Sequence, residues 1–204
     1  GNGSTEIFHY LFRILNAKKA VIPVPSYSDY ARMAESAGLR AEMPVTNEAD
    51  AFRVNLETLA SALKGDEIVV LGQPNNPTGC LNNPAALRRL ANQHPATYFV
   101  IDESFIEFVE HSDSLINNRP ANVVVVRSLT KFYAIPGLRI GFAVADAAIS
   151  EKIRGKSLPW SVNHFAQVVG AKALNDKSYA EKSRQYVREQ RDKLTNSLKT
   201  LPVL

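Results

Sequence analysis

The chain has 204 residues, 45% of them hydrophobic and 22% charged, with a net charge of +4. That suffices for one sizeable α/β domain with a buried core, excludes a disordered or low-complexity chain, and leaves no stretch near the roughly 20 apolar residues of a membrane span. The cations are dispersed, densest from Lys182 to Lys199 on what reads as a solvated helix face, so neither nucleic acid nor membrane is an expected partner, while the one cysteine, Cys80, excludes an intrachain disulfide and suits a reducing, cytoplasmic setting.

Gly3-Ser4-Thr5 precedes apolar residues at Ile7, Leu11, Ile14 and Leu15, the spacing of a helix with a capping residue in front. A glycine loop feeding a helix start is either an anion site or an ordinary cap. Ala20 to Val24 reads as a short buried strand. Tyr27 and Tyr30 open a helix that Gly38 stops. Tyr27 follows a strand end, where its ring can face a cleft or simply pack. Leu39 to Val45 reads as a strand, 47–55 as polar loop and Leu56 to Leu63 as a short amphipathic helix.

Glu67 to Leu71 is an apolar strand that runs into Gly72-Gln73-Pro74-Asn75-Asn76-Pro77-Thr78-Gly79, a composition that forbids helix and strand alike. Ligands bind at the carboxyl edge of open α/β sheets, which makes Asn76 a candidate partner of a bound ring. Otherwise the asparagines cap their own turn. After a helix from Pro84 to Gln93, the strand Tyr98 to Ile101 ends in Asp102-Glu103. An acid at the end of a buried strand is costly unless paired. Asp102 can face a cationic nitrogen, and so can Glu103.

The β-branched run Val123 to Val126 predicts another buried strand, followed by Ser128-x-x-Lys131 and Arg139. A lysine that forms a Schiff base needs groups that hold its carbonyl partner, and a serine and an arginine can hold a phosphate on it. The same stretch can also be a basic surface loop. Leu138 to Val144 reads as a strand, with a helix starting at Asp146, a break at Leu158 to Asn163, helices from Phe165 to Leu174 and from Tyr179 to Leu198, and a strand-like fragment at Leu201 to Leu204. Tyr133, Trp160 and Asn163 are expected to pack. Alternating strands and helices predict a three-layer α/β/α fold with a mainly parallel sheet.

Gly3-Ser4-Thr5, Tyr27, Asn76-Pro77-Thr78-Gly79, Asp102-Glu103-Ser104-Phe105 and Ser128-x-x-Lys131 with Arg139 together resemble the fold-type I pyridoxal-phosphate enzymes of the aspartate aminotransferase superfamily in order and spacing. The resemblance implies pyridoxal 5'-phosphate as cofactor and no metal. It makes Lys131 the lysine bound to the cofactor aldehyde and Asp102 the partner of the pyridine nitrogen. Asn76 would bond the ring oxygen, Tyr27 would stack on the ring, and Ser4, Thr5, Ser128 and Arg139 would hold the phosphate. Glu103 becomes a structural neighbour.

Within the superfamily the chain looks most like the branch of histidinol-phosphate aminotransferase and threonine-phosphate decarboxylase, and most of all like the decarboxylase of cobalamin biosynthesis. Phe105 stands where many aminotransferases have a tyrosine. The expected activity is decarboxylation of L-threonine O-3-phosphate to (R)-1-aminopropan-2-yl phosphate. The alternatives are a histidinol-phosphate-type aminotransferase and a pyridoxal-phosphate-sensing domain of a transcriptional regulator. The resemblance also implies a homodimer acting on a small phosphorylated amino acid. Residues 1–204 are expected to form the cofactor-binding large domain, with an N-terminal segment and a small domain lying outside the chain.

Overall fold

The computed structural model describes residues 1–199 and 201. Six strands form one sheet: β1 (Lys19–Val21), β2 (Arg40–Glu42), β3 (Glu67–Gly72), β4 (Tyr98–Asp102), β5 (Val123–Ser128) and β6 (Gly141–Val144). Their order is β2-β1-β3-β4-β5-β6. All neighbouring pairs are parallel except β5 with β6, which are antiparallel.

Period-two alternation sorts the strand side chains into two cores. Ile68, Val70, Val100, Val124 and Val126 pack on one face against α1 (Ser4–Ile14), α2 (Asp29–Ser36) and α5 (Ala147–Lys156). Val69, Leu71, Phe99, Ile101, Val123 and Val125 face α3 (Leu56–Ala62) and α4 (Pro84–Gln93). The expected three layers are present. Helix α1 is held by the stripe Ile7, Phe8, Leu11 and Phe12, and Leu11 has no exposed surface; burying such a side chain contributes about 1.5–3 kcal/mol. Two further helices, α6 (His164–Asn175) and α7 (Lys177–Leu198), complete the chain, and α7 buries none of its residues.

Several boundaries differ from the sequence reading. Helix α1 begins at Ser4 with Gly3 as its cap, and no side chain caps it, so Ser4 and Thr5 lie within the first turn. The strand expected from Leu138 starts only at Gly141, because Pro136–Leu138 form a 3-10 turn and Arg139 adopts a left-handed backbone with φ 54°. Arg40–Glu42 is shorter than expected, with Val45 forming only an isolated bridge to Val24. Trp160 does not pack: it is 96% exposed. Tyr133 packs on Phe132 and Tyr179, and Asn163 caps α6. The strand-like reading of Leu201 to Leu204 lies outside the described residues except at Leu201, which is a bend.

Candidate active site

Parallel pairing brings the carboxyl ends of β1, β3, β4 and β5 to one edge, with Gly72 opposite Asp102 and Asp102 opposite Val126. The loops leaving that edge carry the predicted residues. One cavity is lined by Ser4, Thr5, Tyr27, Asn76, Asp102 and Lys131. Ser128 and Arg139 stand beside it. The Lys131 amine donates to Ser128 Oγ at 3.5 Å, and Ser128 Oγ meets Thr130 Oγ1 at 2.8 Å. Arg139 lies against Gly3, where a Cβ would collide with its guanidinium, and it lines an adjoining depression together with Thr5.

The alternation that builds the sheet also separates the two acids. Asp102 continues the parity of Val100 toward α1 and α2 and lines the cavity. Glu103 turns the other way and is 1% exposed. It accepts hydrogen bonds from Ser114 Oγ (2.7 Å), Leu115 N (2.8 Å) and Arg127 Nε (2.9 Å). Arg127 also bonds Glu107 at 2.6 Å, and Glu107 lies 3.8 Å from Arg184 of α7. Glu103 is thus committed to a structural network.

The loop 72–79 divides its asparagines in the same manner. Asn75 donates to Pro25 O at 2.9 Å and to Thr78 Oγ1 at 2.8 Å, which fixes the turn. Asn76 lines the cavity, and among the described residues its side chain makes no hydrogen bond. Tyr27 is half exposed on the cavity wall and donates to Asp29 Oδ2 at 2.7 Å. Cys80 is a half-buried loop residue just after the turn.

Lys131 sits at the cavity mouth with its Nζ 5.5 Å from the centre of the Phe105 ring. Partial burial lowers its pKa from the ordinary lysine value; the Asp102 charge opposes that shift and the Arg139 charge adds to it. Among the described residues no carboxylate forms an ion pair with it. A lysine amine biased toward its neutral form and free of an ion pair is suited to attack a carbonyl.

Sequence reading overlooked two residues of this site. Tyr30 lines the cavity and its hydroxyl donates to Asp102 Oδ2 at 2.5 Å. Its position three residues after Tyr27, at the start of a helix, places both rings on one side, and that spacing was the available signal. Ser104 also lines the cavity, and its buried hydroxyl has no partner among the described residues.

An α/β/α sheet whose carboxyl edge presents a lysine, a buried carboxylate and a helix start to one cavity is the architecture of the fold-type I pyridoxal-phosphate enzymes. The chain belongs to the aminotransferase class I and II family, whose model matches residues 1–204. It is 34% identical over its full length to the threonine-phosphate decarboxylase of Salmonella typhimurium, covering 57% of that protein. It is 33% identical, again over its full length, to the adenosylcobalamin biosynthesis bifunctional protein CobDQ of Leptospira interrogans, covering 24% of it. Its structure superposes on the histidinol-phosphate aminotransferase of Clostridium acetobutylicum with a TM-score of 0.88 and 31% identity, over 98% of this chain and 60% of that one. The chain therefore spans a little over half the length of the Salmonella and Clostridium proteins and about a quarter of the Leptospira one.

The residues present fit pyridoxal phosphate, the cofactor this family implies. The Lys131 amine, which has no ion-pair partner among the described residues, suits its aldehyde, Asp102 suits a protonated ring nitrogen, and the orphaned Ser104 hydroxyl marks polar capacity that the protein alone leaves unused.

Proposed function

We propose that this protein is a pyridoxal-phosphate-dependent carboxy-lyase that decarboxylates L-threonine O-3-phosphate to (R)-1-aminopropan-2-yl phosphate. The carrying observation is the full-length likeness to the Salmonella decarboxylase, joined to a cavity that contains Lys131, Asp102, Asn76 and Tyr27. The likeness to the Leptospira bifunctional protein supports a place in adenosylcobalamin biosynthesis. On this reading the cofactor supplies an electron sink for the pair left when carbon dioxide departs.

The chain's own residues do the rest. Lys131 would hold the cofactor aldehyde; once the substrate amine displaces it, the lysine leaves with the proton that amine gives up, and the resulting ammonium group would deliver that proton to the substrate carbon that lost its carboxyl group. Asp102 would pair with the ring nitrogen and Asn76 would bond the ring oxygen. Tyr27 covers the ring. Ser4, Thr5, Ser128 and Arg139 hold the cofactor phosphate through hydroxyls, helix N–H groups and a guanidinium. Phe105 lies beside Lys131 and has no hydroxyl to offer the ring oxygen, so Asn76 carries that hydrogen bond.

The reading extends to a cytoplasmic homodimer, with residues 1–204 as the cofactor-binding large domain of a longer enzyme. Light scattering of the purified protein tests the dimer. The deciding experiment incubates the protein with pyridoxal phosphate and O-phospho-threonine and measures carbon dioxide without a keto acid. Release supports the lyase. A strict requirement for 2-oxoglutarate supports the second reading, a histidinol-phosphate-type aminotransferase, which the superposition on the Clostridium enzyme favours.

A further inference from the structure

The Asp102 carboxylate is held from two sides. Oδ1 accepts the Ser104 backbone N–H at 2.9 Å and Oδ2 accepts the Tyr30 hydroxyl at 2.5 Å. The second distance is that of a charge-assisted O–H···O⁻ bond. Each carboxylate oxygen has two acceptor sites, so one per oxygen stays open toward the cavity. Tyr30 itself has little freedom. It is 3% exposed, and its ring packs against Phe8 at 5.1 Å and edge-on to Tyr27 at 5.4 Å. Burial, and then the Asp102 charge, push its phenol pKa well above the ordinary value, so it remains a donor across the accessible pH range.

We infer that Tyr30 is a positioning residue that sets the basicity of Asp102 and thereby how much positive charge a bound pyridine ring retains. The inference rests on the cofactor reading above. A carboxylate and a pyridine nitrogen facing each other compete for one proton. A hydrogen bond donated to the carboxylate stabilises its charged form and weakens its hold on that proton. Tyr30 therefore favours the nitrogen. A charged ring withdraws more electron density, which makes the nitrogen joined to Lys131 easier to deprotonate. The other groups facing this pair are Lys131, Tyr27 and, beyond Lys131, Arg139; all three remain in place when only the Tyr30 hydroxyl is removed.

The test is Tyr30→Phe, which keeps the ring and its packing. The cofactor absorbance of the loaded protein is titrated against pH, once with pyridoxal phosphate and once with its 1-deaza analogue, in which carbon replaces the ring nitrogen. With the natural cofactor the midpoint should rise by about one unit. With the deaza analogue it should not move, because nothing there competes with Asp102. An unchanged midpoint with pyridoxal phosphate overturns the inference, and so does an equal shift with both compounds, which would mark a merely structural effect. Should Tyr30→Phe not fold, 3-fluorotyrosine at position 30 gives a stronger donor, and the midpoint should fall instead; no fall overturns the inference. If the wild-type protein shows no lysine-bound absorbance at all, the cofactor reading has failed and this inference with it. That outcome is distinct from a wild type that loads normally and a variant that titrates identically.

Discussion

Replacing Gly141 by alanine tests how the anion side of the site is built. A Cβ at Gly141 would stand 2.7 Å from the Arg127 carbonyl oxygen and 2.8 Å from the Ser4 nitrogen, against the 3.4 Å at which ordinary contact begins. Neither neighbour is a yielding side chain. The carbonyl belongs to β5, paired with β6 in the register Ser128 opposite Gly141, and the nitrogen opens α1. Relief requires the start of α1 to retreat by roughly the 0.6 Å shortfall at the Ser4 nitrogen. Overpacking of this kind costs about 1–3 kcal/mol, which for a chain of this size is about 2–12 °C in Tm. The retreat also carries Ser4 and Thr5 away from the cavity, so affinity for pyridoxal phosphate should fall several-fold beyond the loss of stability. The assay pairs thermal unfolding of the unloaded protein with a cofactor titration. Gly137→Ala is the matched control, since nothing lies within 4 Å of its added Cβ, and it should leave stability within about 0.5 kcal/mol. If Gly141→Ala behaves as Gly137→Ala does, the close approach of α1 and β6 is not a constraint and the reasoning fails.

Four further outcomes are expected. Lys131→Ala should abolish the lysine-bound cofactor absorbance, and borohydride should no longer fix the cofactor to the protein; retained absorbance would sink the assignment. In the wild type, cofactor capture should reach its alkaline plateau at a lower pH than capture by an ordinary lysine, because burial lowers the Lys131 pKa. Removing the opposing Asp102 charge in Asp102→Asn should move that plateau lower still, as stopped-flow absorbance would show. Glu103→Ala should leave Arg127, whose side chain is 12% exposed, with one carboxylate fewer, costing about 3 kcal/mol in urea unfolding. In Phe105→Tyr the cofactor titration midpoint should shift as a hydroxyl enters the cavity wall beside Lys131; an unchanged midpoint would count against Asn76 as the main partner of the ring oxygen.

Strands β3, β4 and β5 were legible because short apolar runs of β-branched and aromatic residues, closed by polar or turn-forming residues, have few other readings. Lys131, Asp102 and Asn76 were legible for a related reason: parallel topology delivers every strand end to one edge, so the residue following each strand is near the others. The choice between Asp102 and Glu103 was not legible from the residues themselves and came only through the family resemblance. It depends on which strand face meets which helices, and that is settled by packing far away in the chain. The Tyr30 hydrogen bond was hidden likewise, since it joins residues 72 positions apart. The start of β6 was misjudged because Leu138 and Ile140 look like strand residues, while the 3-10 turn at Pro136 and the left-handed Arg139 hold the chain out of the sheet until Gly141.

The antiparallel β6 has a consequence for the order of folding. Because it runs against its neighbours, its first residue reaches the site edge, where Gly1 N donates to Gly141 O at 3.0 Å and Gly141 N donates to Gly1 O at 3.2 Å. That closure spans 140 residues, and contacts so distant in sequence repay their loop entropy only once the intervening sheet is in place. The anion wall is thus a late assembly. During refolding, lysine-bound cofactor absorbance should return with the slowest phase, after the secondary structure, and cofactor capture then becomes a reporter of completed folding.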